Sequence, residues 1–305
     1  MRSQILVGSR GSGLALAQAN EVIKSLKELA PRSSFRVVSI KTKGDDVPES
    51  GESRFMGKGV FTKEIDESLL KDKIQIAVHS MKDLTTDLPV GLRIAAVPRR
   101  ADHRDVLISR SKEKLERLPG GASVGTSSSR RRTQLLAARS DLQVQEIRGN
   151  VDTRLRKLDG GIYDAIVLAC AGLTRLGLEK RVTEFLSTKV MLPAIGQGAI
   201  AIEAREDDHE TIEFVSRLED NSTRRAVEAE RAFARKLGAN CRTPIAAYAR
   251  VDGNGLAIDG MVSSRDGRML VRSQLVVGSM EPEKAGEELA EYLLQKGAQL
   301  ILEAA

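Results

Sequence analysis

The sequence predicts an α/β protein of two or three domains, and three observations lead there. A strand, a short polar turn and a helix follow one another repeatedly through the first two thirds of the chain. At 305 residues the chain is long enough for more than one core. From Asn221 the pattern changes to a helix, three strands and a final helix, as a small α+β domain would have.

Taken in order, Gln4 to Gly8 is expected as a strand, and Ser9-Arg10-Gly11-Ser12-Gly13 leads into a helix. Its glycines run G-x-x-G-x-G, the wrong order for a dinucleotide fingerprint, so an anion site without a nucleotide is the better reading. Phe35 to Ile40 alternates like a strand. Lys43 to Gly59 has no periodicity and is rich in Gly, Ser and charge, which suits a lid. Its Gly51 to Lys58 is one residue too long for a P-loop, and Gly59 stands where Ser or Thr would hold magnesium. Phe61 to Leu70 reads as a helix and Ile74 to Val78 as a buried strand, which exits into His79-Ser80-Met81-Lys82-Asp83. Ligand chemistry in open α/β sheets collects at carboxyl ends of strands, so Lys82 and Asp83 are well placed. A Ser-His-Asp triad of Ser80, His79 and Asp83 fails, since neighbours on an extended chain point to opposite faces. His79 is expected to be a hydrogen-bonded structural residue.

Leu92 to Val97 is another strand, and Pro98 to Asp102 reads as a linker into a second unit dominated by arginine. There, Ala122 to Val124 ends a strand, Gly125-Thr126 turns, and Ser127 or Ser128 caps a helix that begins with Arg130, Arg131 and Arg132. The plan repeats with a strand Val144 to Ile147, the turn Arg148-Gly149-Asn150, and a helix from Val151 with Arg154 in its first turn. Free N–H groups at helix starts and guanidinium forks both favour carboxylates or phosphates. A solvated helix face is the plainer reading of arginines, but three in one turn repel one another unless anions intervene. Tyr163 to Leu168 is a further buried strand, Ala169 to Leu173 its exit, and Arg175 lies just beyond. Leu192 to Gly198 reads as a return crossing, with Ala199 to Glu203 a strand of the first sheet. In the last domain the expected elements are a helix Ser222 to Leu237, strands Ile245 to Val251, Leu256 to Val262 and Met269 to Val276, and a helix Pro282 to Gln295. Cys241, in a polar turn beside Arg242, is placed where a thiolate would be favoured and reachable.

Composition excludes several classes. Net charge is +6, yet six Phe, three Tyr and no Trp leave few stacking platforms for nucleic acid. The longest apolar run, Ala165 to Leu173, is far short of a membrane span, and Arg10 interrupts the apolar start, so a cytoplasmic protein is expected. Two cysteines without a C-x-x-C and three scattered histidines indicate neither a disulfide framework nor a metal site.

Seven motifs, spread in order over the whole chain, carry a resemblance: Gly8-Ser9-Arg10, Gly57-Lys58-Gly59-Val60-Phe61, Ala77 to Asp83, Gly125-Thr126-Ser127-Ser128 with its arginines, Arg148-Gly149-Asn150, Leu192 to Gly198, and Cys241. The sequence resembles the porphobilinogen deaminase (hydroxymethylbilane synthase) family. The resemblance implies three α/β domains, the first two like type II periplasmic binding proteins with doubly wound mixed sheets, the third a small α+β domain with a three-stranded sheet. Residues 1–98 with 193–218 would form the first, 99–192 the second and 219–305 the third. It implies a dipyrromethane cofactor on Cys241 through a thioether, and stepwise addition of four porphobilinogens, each losing ammonia to give an azafulvene, before hydrolysis releases hydroxymethylbilane. Asp83 would be the catalytic carboxylate. Arg10, Ser12, Lys82, Thr126, Ser127, Ser128, Arg130, Arg131, Arg148, Gly149, Asn150, Arg154, Ala169, Arg175 and Gln197 would bind cofactor and substrate, with Lys58 and Phe61 in the lid. A monomer is implied, passing its product to uroporphyrinogen III synthase, with no metal, nucleic acid or membrane partner. The sequence departs locally from the family pattern at Ser129, at Arg132, and at Asn240 with Arg242-Thr243. A non-catalytic anion-binding module of the same two-domain fold would share the arginines but have no use for Cys241 and Asp83 together. A basic nucleic-acid binder would be indifferent to Cys241 and steeply salt-dependent.

Overall fold

The computed structural model describes residues 4–42, 62–238 and 244–303. The chain divides into two compact units, Met1–Arg100 with Ala199–Arg224, and Ala101–Gly198 with Arg225–Ala305.

The first unit begins β1 (Gln4–Ser9), α1 (Gly13–Leu29), β2 (Ser34–Ser39), α2 (Lys63–Leu70), β3 (Ile76–Ser80) and β4 (Leu92–Ala96). The returning chain supplies β10 (Ile200–Arg205) and α6 (His209–Ser216). Strand order is β2-β1-β3-β10-β4, with β1 parallel to both neighbours and β10 antiparallel to β3 and β4. Alternation along the strands sorts two cores. On one face Val22, Ile23 and Leu26 of α1 and Phe214 and Val215 of α6 pack on Val7, Ile76, Val78 and Ile202. On the other, Ile65 and Leu69 of α2 pack on Ile74, Ala77 and Leu92. The expected return crossing is observed, and Ile200–Arg205 joins the first sheet. β3 extends to Ser80, so His79 and Ser80 belong to the strand and not to its exit.

The second unit holds two sheets. Its larger one comprises β5 (Asp105–Ser109), β6 (Ser123–Gly125), β7 (Gln143–Gln145), β8 (Ala165–Ala169) and β9 (Glu184–Phe185), ordered β7-β6-β8-β5-β9. The β7-β6-β8 pairs are parallel, and β5 runs antiparallel to β8 and β9. Helix α3 (Ser129–Ala138) packs on one face through Leu135; α4 (Val151–Asp159) and α5 (Cys170–Arg175) pack on the other through Leu155, Leu158 and Leu173. The expected exit of β8 is helical from Cys170, and Arg175 is the last residue of that helix, α5. Cys170 is buried, as its apolar surroundings suggest. The second sheet is antiparallel, β11 (Ile245–Asp252), β12 (Gly255–Ser263) and β13 (Leu270–Val277). Phe233 of α7 (Asn221–Lys236) and Leu289 and Leu293 of α8 (Pro282–Leu293) cover it. A left-handed Gly297 then turns the chain into α9 (Gln299–Glu303). Strands β5 and β9 and helices α6 and α9 are additional to the elements expected from periodicity.

Candidate functional site

In the first unit, a pocket lined by Arg10, Ser12, Gln18, Thr62, His79, Ser80 and Asp83 gathers the first and third sequence motifs. Ser12 is the N-cap of α1, its side chain accepting from Ala15 N–H at 3.3 Å. Ser9 Oγ donates to Ala15 C=O at 3.0 Å, fixing the chain between β1 and α1. The buried Gln18 amide of α1 donates to Ser80 Oγ at 2.8 Å, tying the end of β3 to that helix. Beyond Ser80 a single 3-10 turn, Met81–Asp83, is anchored by buried Met81, whose N–H donates to Ala199 C=O at 3.0 Å. The turn leaves Lys82 and Asp83 exposed, with Asp83 on the pocket wall. A carboxylate is thereby offered from a turn anchored at its start.

In the second unit, Ser128 caps α3, and the chain before it is held by Ser127 Oγ donating to Ile147 C=O and Ser128 N–H donating to Thr126 Oγ1 at 3.2 Å. The anion that intervenes between Arg130 and Arg131 is the protein's own Asp105. Arg131 donates to Asp105 Oδ1 from Nε at 3.0 Å and Nη2 at 2.7 Å, and Arg130 Nη1 lies 2.8 Å from Oδ2. Burial alone would raise the Asp105 carboxyl, but the two guanidinium groups outweigh it and hold it down at about 2. Gln197 Nε2 donates to the same Oδ1 at 3.1 Å and to His103 C=O at 2.8 Å. Gly198 follows at φ +90°, where a Cβ would stand 2.6 Å from Ala101 O, so only glycine lets the two chain segments approach.

Asn150 caps α4, accepting from Thr153 N–H at 2.9 Å, and Arg154 Nε donates to Gly149 C=O at 2.8 Å. Arg148 reaches Glu146 at 2.8 Å, and Arg175 Nη2 donates to Gly198 C=O at 3.3 Å. Ala169 ends β8 directly before α5. Arg154 differs from its neighbours. No carboxylate among the described residues pairs with it, and burial together with Arg131 lowers its pKa to about 10.

Two groups of residues escaped sequence reasoning. Asp105 heads an otherwise apolar strand, Asp-Val-Leu-Ile-Ser, and an acid in that position is a legible signal of a buried partner. Asp66 and Glu203 join His79 in a buried cluster, although the histidine spacing suggested no such grouping.

Residues 5–213 match the model of the porphobilinogen deaminase dipyromethane cofactor binding domain, and residues 224–295 that of the porphobilinogen deaminase C-terminal domain. The chain belongs to the porphobilinogen deaminase family. The porphobilinogen deaminase of Desulforudis audaxviator is 51% identical over 302 residues, 99% of this chain and 98% of that one. Those of Brevibacillus brevis and Thermus thermophilus are each 47% identical, covering 97% and 98% of this chain and 96% and 98% of theirs. Among solved structures, the methionine binding protein MetQ is 14% identical over 71% of this chain and 89% of its own, with a TM-score of 0.44. Membership of the porphobilinogen deaminase family favours the enzyme over the anion-binding module and the nucleic-acid binder. No helix among the described residues is long and apolar enough to cross a membrane. Cys241 and Arg242, the lid with Lys58 and Phe61, and Asn240 and Thr243 lie outside the described residues. Each unit by itself offers groups that suit pyrroles bearing carboxylates: an acid on a pocket wall in the first, and in the second a guanidinium without a carboxylate partner among the described residues.

Proposed function

We propose that the chain is a transferase that condenses four porphobilinogen molecules head to tail, with loss of ammonia, and releases hydroxymethylbilane. The observation that carries this reading furthest is Arg154, a cation beside Arg131 without a carboxylate partner among the described residues. Bound through Cys241, a dipyrromethane supplies the nucleophilic pyrrole carbon from which the product grows. Arg10, Ser12 and Lys82 in the first unit, and Thr126, Ser127, Ser128, Arg130, Arg131, Arg148, Gly149, Asn150, Arg154, Ala169, Arg175 and Gln197 in the second, bind the acetate and propionate groups or shape the backbone that does. Each charge-assisted hydrogen bond contributes about 1.5 to 3 kcal/mol, so several suffice to retain intermediates between additions. Within that list Arg130, Arg131 and Gln197 also hold Asp105.

Asp83 accepts hydrogen bonds from pyrrole N–H groups and stabilises the positive charge that develops as ammonia leaves. In this reading residues 1–98 with 193–218, 99–192 and 219–305 serve as catalytic, carboxylate-binding and cofactor-bearing domains. The protein works as a cytoplasmic monomer and hands its product to uroporphyrinogen III synthase.

Intact denatured mass tests the reading. The mass is expected to exceed that of the polypeptide by two linked pyrrole units, and Cys241→Ser is expected to abolish the increment while the protein stays folded. A bare polypeptide mass after expression with ample porphobilinogen overturns the covalent attachment.

A further inference from the structure

Behind the pocket that carries Asp83, three ionisable groups are buried together. Ala201 of β10 pairs with His79 of β3, so Glu203, two residues along, lies diagonally from His79 on the same sheet face. That face is the one α2 covers, and α2 brings Asp66 down onto it. Glu203 is fully buried, with His79 and Asp66 nearly so. The ligand atoms of all three lie within 4.8 Å of one another, and His79 Nε2 is 3.1 Å from Glu203 Oε2. Neither those two atoms nor Glu203 Oε1 and Asp66 Oδ1 have another partner among the described residues. Two buried carboxyls beside an imidazole cannot all shed their protons without a large desolvation cost. At 3.1 Å the separation of Nε2 and Oε2 is that of an ordinary N–H···O hydrogen bond, so a proton between them is the simplest compensation.

The cluster borders the pocket directly, because Thr62 and His79 line that pocket and the Thr62 side chain hydrogen-bonds Asp66. We propose that Asp66, His79 and Glu203 form a buried proton-holding cluster that sets the charge of the wall behind Asp83, with Asp66 as the group that gains and loses the proton. Burial and the Glu203 carboxylate push the Asp66 carboxyl up to about 6, the Thr62 hydrogen bond and His79 pull it down, and Glu64 of the same helix adds a smaller upward push. From β4, Arg93 is exposed and pairs with Ala204, which packs into the core on the opposite face. Above its midpoint Asp66 therefore adds one negative charge beside a pocket whose other described charged groups are Arg10 and Asp83. That charge assists Asp83 wherever a cation develops in the pocket. Asp66 is a positioning residue in this scheme, acting through Asp83 and touching no substrate. Only the kinetic arm of the test rests on the proposed reaction.

The chain has three histidines, His79, His103 and His209, so the ring resonances of the holoenzyme labelled at histidine are assignable by comparison with His79→Gln. The His79 signal is expected to report an ionisation with a midpoint near that of Asp66, absent in Asp66→Asn and retained in Asp66→Glu. Thr62→Val, which removes the hydrogen bond that lowers the Asp66 carboxyl, is expected to move the midpoint to higher pH and decides the matter if Asp66→Asn does not fold. In the kinetic arm, kcat is expected to rise roughly tenfold from about pH 5 to about pH 7.5 as one carboxyl ionises, a rise that Asp66→Asn flattens and Asp66→Glu restores. A His79 signal that does not titrate between pH 5 and 7, or one that titrates unchanged in Asp66→Asn or Thr62→Val, overturns the cluster. So does a stoichiometric divalent metal, lost in His79→Gln, in the purified protein. A titrating signal with an unaltered Asp66→Asn rate profile overturns the link to the pocket. Failure to consume porphobilinogen at any pH counts against the proposed function alone, because the resonance data still judge the cluster.

Discussion

Arg131 grips Asp105 through a single carboxylate oxygen, with Nε at 3.0 Å and Nη2 at 2.7 Å from Oδ1. The other oxygen faces Arg130 at 2.8 Å, so one fully buried acid pairs with two buried arginines in the first turn of α3 and leaves one positive charge over. Removing one member of such a group strands the rest, at a cost of about 3 to 5 kcal/mol. Asp105→Asn is therefore expected to lower the urea midpoint sharply. The acid dependence follows from the sign of the shift. Asp105 is held at about 2 in the folded chain against 3.8 ordinarily, so its contribution is fully present above about pH 4 and is lost as pH falls through about 2. Urea melts between pH 2 and 5 check this, since the Asp105→Asn variant is expected to show a shallower loss of stability over that window.

Arg154 makes the opposite prediction for stability. Its positive charge is half-buried beside Arg131 with no acid among the described residues to offset it, so Arg154→Leu removes a repulsion and a desolvation cost. The apo form of this variant is expected to melt no lower than the parent apo form. Cofactor capture is expected to fail, leaving mainly bare polypeptide in an intact mass spectrum. Arg130→Leu and Arg131→Leu are expected to lose both cofactor and stability, because each also abandons Asp105. A normal holo mass for Arg154→Leu would show that this guanidinium serves no external anion.

Gly149 couples backbone shape to the same site. At φ +106° a Cβ would stand 2.6 Å from the Thr153 side chain, and the Gly149 carbonyl is the acceptor for Arg154 Nε. Gly149→Ala is expected to cost about 1 to 3 kcal/mol in unfolding free energy, on the scale of a strained backbone position. It is also expected to slow cofactor incorporation. Both are read on one preparation, by urea melt and by the time course of mass gain in porphobilinogen.

Much of this arrangement is legible in the sequence because local chemistry repeats. Ser128 and Asn150 announce helix starts through short polar side chains, and both do cap α3 and α4. The alternation of β11 to β13 and the apolar face of α8 likewise follow from nearest-neighbour pattern. What stays hidden depends on residues far apart in sequence. The partnership of Asp105 with arginines 25 and 26 positions later arises only when β5 inserts between β8 and β9. His79 meets Glu203 only because the returning strand runs antiparallel to β3, a pairing no local signal encodes. The end of β3 lies two residues beyond the expected Val78 for the same reason, since pairing with β10 keeps His79 and Ser80 extended.

Asp83 carries the sharpest catalytic prediction. It sits on a turn anchored by Met81 and by the Gln18–Ser80 contact, exposed on the pocket wall, and under the proposed function its carboxylate meets pyrrole N–H groups there. The role makes two demands, a negative charge while the cation develops and hydrogen-bond reach to the ring. Asp83→Asn keeps the size, removes the charge and opposes the pyrrole donors with its own NH2 group. Turnover is expected to fall by about 100-fold or more, on the scale of one lost electrostatic stabiliser. Asp83→Glu keeps the charge but displaces it by one methylene. It is expected to retain the cofactor, turn over slowly and accumulate enzyme bearing partly elongated chains, visible as a ladder of added pyrrole units in native mass spectra after a brief substrate pulse. Neither variant disturbs the Met81 anchor, so both are expected to melt with the parent protein, which separates lost chemistry from lost fold. Hydroxymethylbilane formation by Asp83→Asn at close to the parent rate would assign the stabilisation of the cation to another group.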